Sequence, residues 1–292
     1  MFQSVKVWGF RKYYTVVSFL AWRGHRREPA YSELTLTSGP TPLRARLYPN
    51  ERGAGKPLIV YLHGGGWVIG DLKNYQPFCQ ELSHITGHSV VALEYRLAPE
   101  HPFPAAPDDC LAATRELAAR ANELAPCNGR LVIAGDSAGG NLATSTCLEI
   151  DGDARNSIVG ELLIYPATDH YTAGFGSYVE KATGHRLTAG LMHWFWDTCL
   201  ADLPATSPEA QRAFPLRSTA LASLPPTLLV TAEDDPLRDE GLAYAEKLRE
   251  AGVAVNYHHF DRAEHGFACT GGPGPDFNLL MAQINSWLAQ LG

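Results

Sequence analysis

The chain has 292 residues, with 24 Lys and Arg against 31 Asp and Glu for a formal net charge of −7; 45% of its residues are hydrophobic and 19% are charged. That composition excludes a disordered tail, and the acidic balance argues against a nucleic-acid binder, which needs a concentrated basic surface. No apolar run reaches the about 18 residues of a membrane-spanning helix, and the length suits one large α/β domain or two smaller ones.

The first segment is the ambiguous one. Tyr13 to Trp22 is an apolar stretch preceded by Lys6, Arg11 and Lys12 and followed by Arg23, His25, Arg26 and Arg27. A signal peptide would end at a small-residue cleavage site instead. The expectation is a basic amphipathic helix packed on the protein, preferred over contact with a membrane surface or an anchor made from residues 1–27. Further along, Ser32 to Thr37 and Leu43 to Tyr48 alternate apolar and polar residues around Gly39-Pro40, which predicts a β-hairpin.

After a polar linker at Asn50 to Lys56, short β-rich runs alternate with longer helical ones. Strands are expected at Leu58–Leu62, Ser89–Tyr95, Arg130–Ala134, Ile158–Tyr165, Thr227–Thr231 and Val253–Phe260. Helices are expected at Asn74–Ile85, Ala105–Asn122, Ala138–Glu149 and Asp239–Ala251. Runs such as LIVYL and LVIAG are apolar on both faces, as in parallel strands covered by helices on each side. A doubly wound α/β sheet follows, with ligands near the carboxyl ends of its strands. One stretch breaks the alternation: Ala167 to about Ala201 has no strand and contains the aromatic-rich LMHWFWDTCL. It reads equally as a lid over a site or as an extra surface helix.

The six cysteines, at 79, 110, 127, 147, 199 and 269, are scattered without C-x-x-C spacing. Neither a zinc ribbon nor a dithiol motif is indicated, and the usage suits buried thiols in a reducing cytoplasm.

Chemistry concentrates in three loops. Gly135-Asp136-Ser137-Ala138-Gly139 lies between an expected strand and an expected helix. That is the context in which G-x-S-x-G makes a nucleophile elbow, the glycines leaving room for a strained turn that projects the serine hydroxyl. His63-Gly64-Gly65-Gly66-Trp67 follows the strand LIVYL. Its glycines let backbone N–H groups approach a ligand, so Gly65, Gly66 and Ala138 form a candidate oxyanion hole. The pattern matches neither phosphate-binding fingerprint. A serine nucleophile requires a base and a carboxylate, which in this order of elements follow later strands. His265 then becomes the base, and the acid is one of Glu233, Asp234 and Asp235. Glu264 reads as a solvated loop charge, and His63 as a brace of the glycine loop. His258 and His259 fall within a strand, and His84 with His88 has metal-pair spacing but no evident third ligand.

Taken together, HGGGWVIGD (63–71), EYRLAPEHPFPAAPDD (94–109), GDSAGGN (135–141), LIYPATD (163–169), TAEDDPLRDEG (231–241) and HGF (265–267) resemble the hormone-sensitive-lipase-like branch of the α/β-hydrolases, the bacterial family IV carboxylesterases. The resemblance covers most of the chain after about residue 55. It implies a mostly parallel sheet flanked by helices, with a cap built from residues 1–30 and 167–201 over a core of residues 31–166 and 202–292. It selects Asp235, the Asp before Pro-Leu, as the acid, and places the oxyanion donors on Gly65, Gly66 and Ala138. Two positions depart from the family pattern: Glu94 stands where Asp is more usual, and Asn74 where His is.

The implied activity is hydrolysis of short-chain acyl esters through Ser137, His265 and Asp235 and an acyl-enzyme intermediate. Trp67, Asp136, Trp194 and Phe195 are candidate pocket residues. The alternatives are an amidase or arylformamidase on the same triad and, further off, a non-catalytic small-molecule receptor. No metal, nucleotide or flavin is implied. The partner expected is a small-molecule ester, without nucleic acid, and the reading admits a homodimer.

Overall fold

The computed structural model describes residues 2–25, 27, 28 and 30–291, so Arg26 of the basic run lies outside the described residues. Helix α1 (Phe2–Ala21) comes first, followed by strands β1 (Ser32–Leu36) and β2 (Leu43–Tyr48). The alternating part then runs β3 (Leu58–Leu62), α2 (Leu72–Thr86), β4 (Val90–Leu93), α3 (Ala105–Leu124), β5 (Leu131–Asp136), α4 (Ala138–Glu149), α5 (Gly152–Ser157) and β6 (Ile158–Ile164). After α6 (Gly176–Glu180) and α7 (Ala189–Leu200) it resumes with β7 (Thr227–Asp234), α8 (Arg238–Glu250), β8 (Val255–Glu264) and α9 (Pro275–Leu288).

The eight strands form one sheet in the order β1-β2-β4-β3-β5-β6-β7-β8. The expected hairpin pairs antiparallel, Ser32 opposite Leu47 through Leu36 opposite Leu43, and β2 pairs antiparallel with β4. Every pairing from β4 across to β8 is parallel.

Period-2 alternation explains why the parallel strands are apolar throughout. Leu58, Val60 and Leu62 enter one core with Leu117, Leu142, Tyr244 and Trp196, from α3, α4, α8 and α7. Ile59 and Tyr61 enter the opposite core with Phe78 and Leu82 of α2 and Phe277 and Leu280 of α9. Helix α2 begins at an Asp71 cap, whose carboxylate accepts the N–H groups of Lys73 and Asn74, and stops at left-handed Gly87.

Two strands outrun their expected ends. Strand β7 continues to Asp234 and β8 to Glu264, because a bulge after Ala232 restores pairing between Asp234 and Glu264. The ladder continues past the strands, the His265 N–H donating to Asp234 O at 3.2 Å. Glu264 therefore closes a strand instead of sitting in a loop. Between β6 and β7 the described residues 167–201 hold helices α6 and α7 and no strand, as the sequence suggested. Helix α1 is longer than the expected segment. It is clamped to the loops after β3 and β4 by Arg11, which pairs with both Glu100 carboxylate oxygens (2.8 and 2.7 Å) and donates to Val68 O and Ala98 O. All six cysteines are free thiols.

A buried carboxyl on β6 gives the sheet a pH dependence. Glu161 has no exposed surface and accepts the Thr227 hydroxyl at 3.2 Å. Burial raises its pKa from 4.5 to about 7, with hydrogen bonds from Thr144 and Thr227 acting the other way. The folded state thus holds this proton more tightly than the unfolded chain. Stability should fall as pH rises from 4.5 to about 7 and stay reduced above, a penalty on the order of 3 kcal/mol. Glu161→Gln is expected to remove that slope, so urea unfolding should show the variant gaining on the parent between pH 5 and pH 8. An equal pH dependence in both proteins would contradict this assignment.

Candidate active site

Four loops at the carboxyl ends of parallel strands converge on one point, the place where open α/β sheets hold their ligands. Ser137 leaves β5 at φ 55° and ψ −121°, a backbone conformation that side chains other than glycine rarely adopt. The turn is tight enough that a Cβ on Gly139 would stand 2.0 Å from Leu62 O, so no other residue fits there. Helix α4 starts at the next residue and directs its N-terminal N–H groups to the same place.

His265, just past β8, brings Nε2 to 3.0 Å from Ser137 Oγ. Its Nδ1 lies 2.7 Å from Asp235 Oδ2, just past β7. The second Asp235 oxygen accepts the Leu237 N–H at 2.8 Å, which fixes the carboxylate plane. Asp235 is wholly buried, whereas Ser137 and His265 keep 6% and 9% of their surface, so reagents can reach only the serine end of the chain. The other two acids point elsewhere: Asp234 pairs with Lys181 at 3.0 Å, and Glu233 pairs with Arg238 at 2.9 Å and with His259. Geometry thus separates three neighbours that residue type left equivalent. The Tyr165 ring packs 4.6 Å from the His265 ring and limits its rotation.

The glycine loop after β3 is tied to the serine turn by one carboxylate. Asp136 Oδ1 accepts the Tyr61 hydroxyl (2.8 Å) and the Gly64 N–H (2.9 Å), and Oδ2 accepts the Tyr75 hydroxyl (2.9 Å). Tyr75 reaches on to the Tyr14 hydroxyl of α1 at 2.9 Å. Burial raises the Asp136 pKa, while its three donors act in the opposite sense. The N–H groups of Gly65, Gly66 and Ala138 donate to no other described group. His63 is buried, stacks on Tyr95 (4.3 Å) and contacts Gly64 O at 2.8 Å. Burial lowers its pKa to about 4, so it is a neutral brace of this loop.

Above Ser137 lies a cavity of about 410 Å³. Its walls include Gly65, Gly66, Asp136 and His265 from the core, Phe10, Tyr14 and Val17 from α1, and Met192 and Phe195 from α7. Phe195 lies against the glycine loop so closely that a Cβ on Gly66 would stand 2.2 Å from its ring. Of the four expected pocket residues, Asp136 and Phe195 line this cavity. Trp67 and Trp194 do not. Trp67 is buried against Trp196 at 4.2 Å, because the left-handed backbone at Trp67 (φ 61°) turns it into the core. Trp194 packs at a tilt against Phe10, ring centroids 5.2 Å apart, with Lys6 over its ring, so it joins α7 to α1.

Sequence reasoning missed Tyr61, Tyr75 and Tyr165, whose hydroxyl or ring contacts come from a strand, a helix and a strand-end loop far apart in the chain. It also missed Glu240, fully buried, which accepts the Thr168 N–H at 2.7 Å and holds the loop after β6. The side chains of His185 and Arg186 also reach the cavity, and Arg186 donates to Thr270 at 3.1 Å. His84 is exposed while His88 is buried against Thr86 O, so the two share no site.

The sequence pattern of the α/β hydrolase fold family matches residues 59–269. A carboxylic ester hydrolase of Mycobacterium tuberculosis, LipN, is 35% identical over 271 residues, covering 89% of this chain and 71% of that protein. An ethyl acetate hydrolase of Pseudomonas putida is 36% identical, covering 85% of this chain and 79% of its own length. Among solved structures, an esterase of the archaeon Pyrobaculum calidifontis superimposes with a TM-score of 0.89 at 33% identity, over 98% of this chain and 93% of its own. The metagenomic carboxylesterase EstE1 gives a TM-score of 0.85 at 34% identity, over 97% of each chain. With the elbow, the glycine loop and the eight-stranded sheet in place, this chain belongs to the α/β-hydrolase family, in its hormone-sensitive-lipase-like branch of carboxylic ester hydrolases.

Proposed function

We propose that the protein hydrolyses short-chain acyl esters with Ser137 as nucleophile, His265 as general base and acid, and Asp235 as its orienting carboxylate. The observation that carries this reading is the hydrogen-bonded chain from buried Asp235 through His265 to Ser137, 2.7 and 3.0 Å long, ending at the floor of the cavity. His265 takes the Ser137 proton as Oγ attacks the ester carbonyl carbon, and Asp235 holds the Nδ1–H tautomer and stabilises the imidazolium. The carbonyl oxygen, now negative, receives the N–H groups of Gly65, Gly66 and Ala138. Loss of one such donor costs about 2.7–4 kcal/mol of barrier in comparable sites. The imidazolium then protonates the departing alkoxide, and water deprotonated by His265 releases the acid and regenerates Ser137.

Two observations support small acyl groups. The Phe195 ring closes down over Gly66, next to the proposed oxyanion donors, and a relative 36% identical is named for ethyl acetate hydrolysis. Against a non-catalytic receptor stands His265, which keeps both of its hydrogen bonds.

Ser137→Ala should lower p-nitrophenyl acetate turnover by on the order of 10⁶ without loss of fold, and Asp235→Asn by on the order of 10⁴. Near-parental activity in the serine variant would remove the triad assignment. Across p-nitrophenyl esters from acetate to palmitate, kcat/KM should be highest at the short end. A steady rise toward palmitate would overturn the substrate class.

Tyr75→Phe removes the donor to buried Asp136 Oδ2 and one of the two acceptors of the Gly64 N–H, which keeps its bond to Asp136 Oδ1. A stability loss of about 1–3 kcal/mol in urea unfolding is expected. A drop in kcat should accompany it, because Gly64 positions the next two amides. A variant matching the parent in both measurements would show that the network is not needed.

A further inference from the structure

Helix α1 is apolar on two sides, one turned into the fold and the other half exposed or more. Its inner side buries Val7 and Ser18, leads into buried Trp22, and contributes Phe10, Tyr14 and Val17 to the cavity. Its outer side carries Trp8, Val16, Phe19 and Leu20, each at least half exposed. At 3.6 residues per turn these positions fall within one arc of the helix surface, so they form a continuous strip. Elsewhere among the described residues the large exposed apolar side chains, Ile85, Val179, Leu242 and Leu279, are single. Scattered apolar residues are ordinary on a surface, whereas a contiguous strip marks a contact.

The strip lies on the one strongly basic segment. Residues 1–27 hold six of the 24 Lys and Arg and none of the 31 Asp and Glu, although the chain as a whole is acidic. Lys12 sits within the strip, its ammonium 5.9 Å over the Trp8 ring. Among the described residues neither Lys12 nor Arg23 takes part in an ion pair. Aromatic and aliphatic side chains interleaved with cations are the composition of helices that lie in a lipid headgroup layer. Among the described residues no helix is long and apolar enough to cross a membrane, and the contact argued for is a peripheral one. A second copy is a poorer fit, since two-fold pairing of α1 on α1 would bring two identical basic segments together.

We propose that the outer face of α1 docks the protein on an anionic lipid surface, with Trp8, Val16, Phe19 and Leu20 entering the boundary between headgroups and acyl chains and Lys12 and Arg23 against lipid phosphates. The expectation that this segment packs on the protein accounts for its inner face alone. Because a helix is only about 10–12 Å across, docking brings membrane-held esters within that distance of the cavity walled by the same helix.

Co-sedimentation of the full chain with phosphatidylcholine vesicles, with and without phosphatidylglycerol, tests the proposal. The parent should bind the anionic vesicles and lose that binding at high salt. The triple variant Trp8→Ser, Val16→Ser, Leu20→Ser should bind at least about tenfold more weakly. Lys12→Glu should weaken binding by about fivefold or more. Both variants should hydrolyse dissolved p-nitrophenyl acetate as the parent does, which also confirms that they fold. Equal vesicle binding by parent and triple variant would overturn the proposal, as would no binding of the folded parent to either vesicle. Light scattering that finds a two-chain species dissolved by the triple variant, without vesicle binding, would assign the face to a second copy instead.

Discussion

The carboxylate of Asp136 holds together parts of the molecule that share no sequence neighbourhood. It precedes Ser137 directly, so any shift of its anchor moves the serine turn. Its acceptors are filled by a strand hydroxyl, a helix hydroxyl and the first amide of the glycine loop. In a buried site each of those donors would cost free energy if left unpaired, and so would the carboxylate. The group therefore fixes β3, α2 and the elbow at one mutual distance. Through Tyr75 and Tyr14 the same network reaches α1. A change at this carboxylate would be felt by the serine, the amides beside it and the wall of the cavity at once.

Around that anchor, burial divides the labour. Asp235 is wholly enclosed and the serine end of the hydrogen-bonded chain Asp235–His265–Ser137 is barely open. The roof comes from two helices that are distant in sequence. Arg11 binds α1 to the loops after β3 and β4, and Phe195 seats α7 on Gly66. The tilted ring contact between Phe10 and Trp194 joins α1 and α7 to each other. The aromatic run that reads as a lid thus divides by helix face: Phe195 turns to the cavity, Trp196 to the core and Trp194 to α1.

Much of this was legible in the residues. LIVYL and LVIAG announce parallel strands because both faces must be apolar, and β3 begins and ends where that run does. The elbow and the glycine loop are legible for a steric reason, since close backbone approach leaves no choice but glycine. Strand ends were less legible. The bulge that carries β7 and β8 onward depends on pairing between residues some thirty positions apart in the chain, which local pattern does not record. The choice of Asp235 over its two neighbours came from family resemblance, because composition cannot say which of three adjacent carboxylates turns inward.

Sequence by itself determined the order of elements, the serine turn, the donor-rich glycine loop and the histidine that follows the last strand. These are local requirements of sterics and hydrophobic periodicity, written within a few residues of where they act. Only the tertiary structure decided that Asp234 and Glu233 are spent on Lys181 and Arg238, that Trp67 packs away from the cavity, and that Tyr14, Tyr61, Tyr75 and Asp136 share one network. It also decided that α1 keeps one apolar face outside. Each of these depends on which distant surfaces meet, and a side chain's partner across the fold is set by packing of the whole chain rather than by its own neighbours.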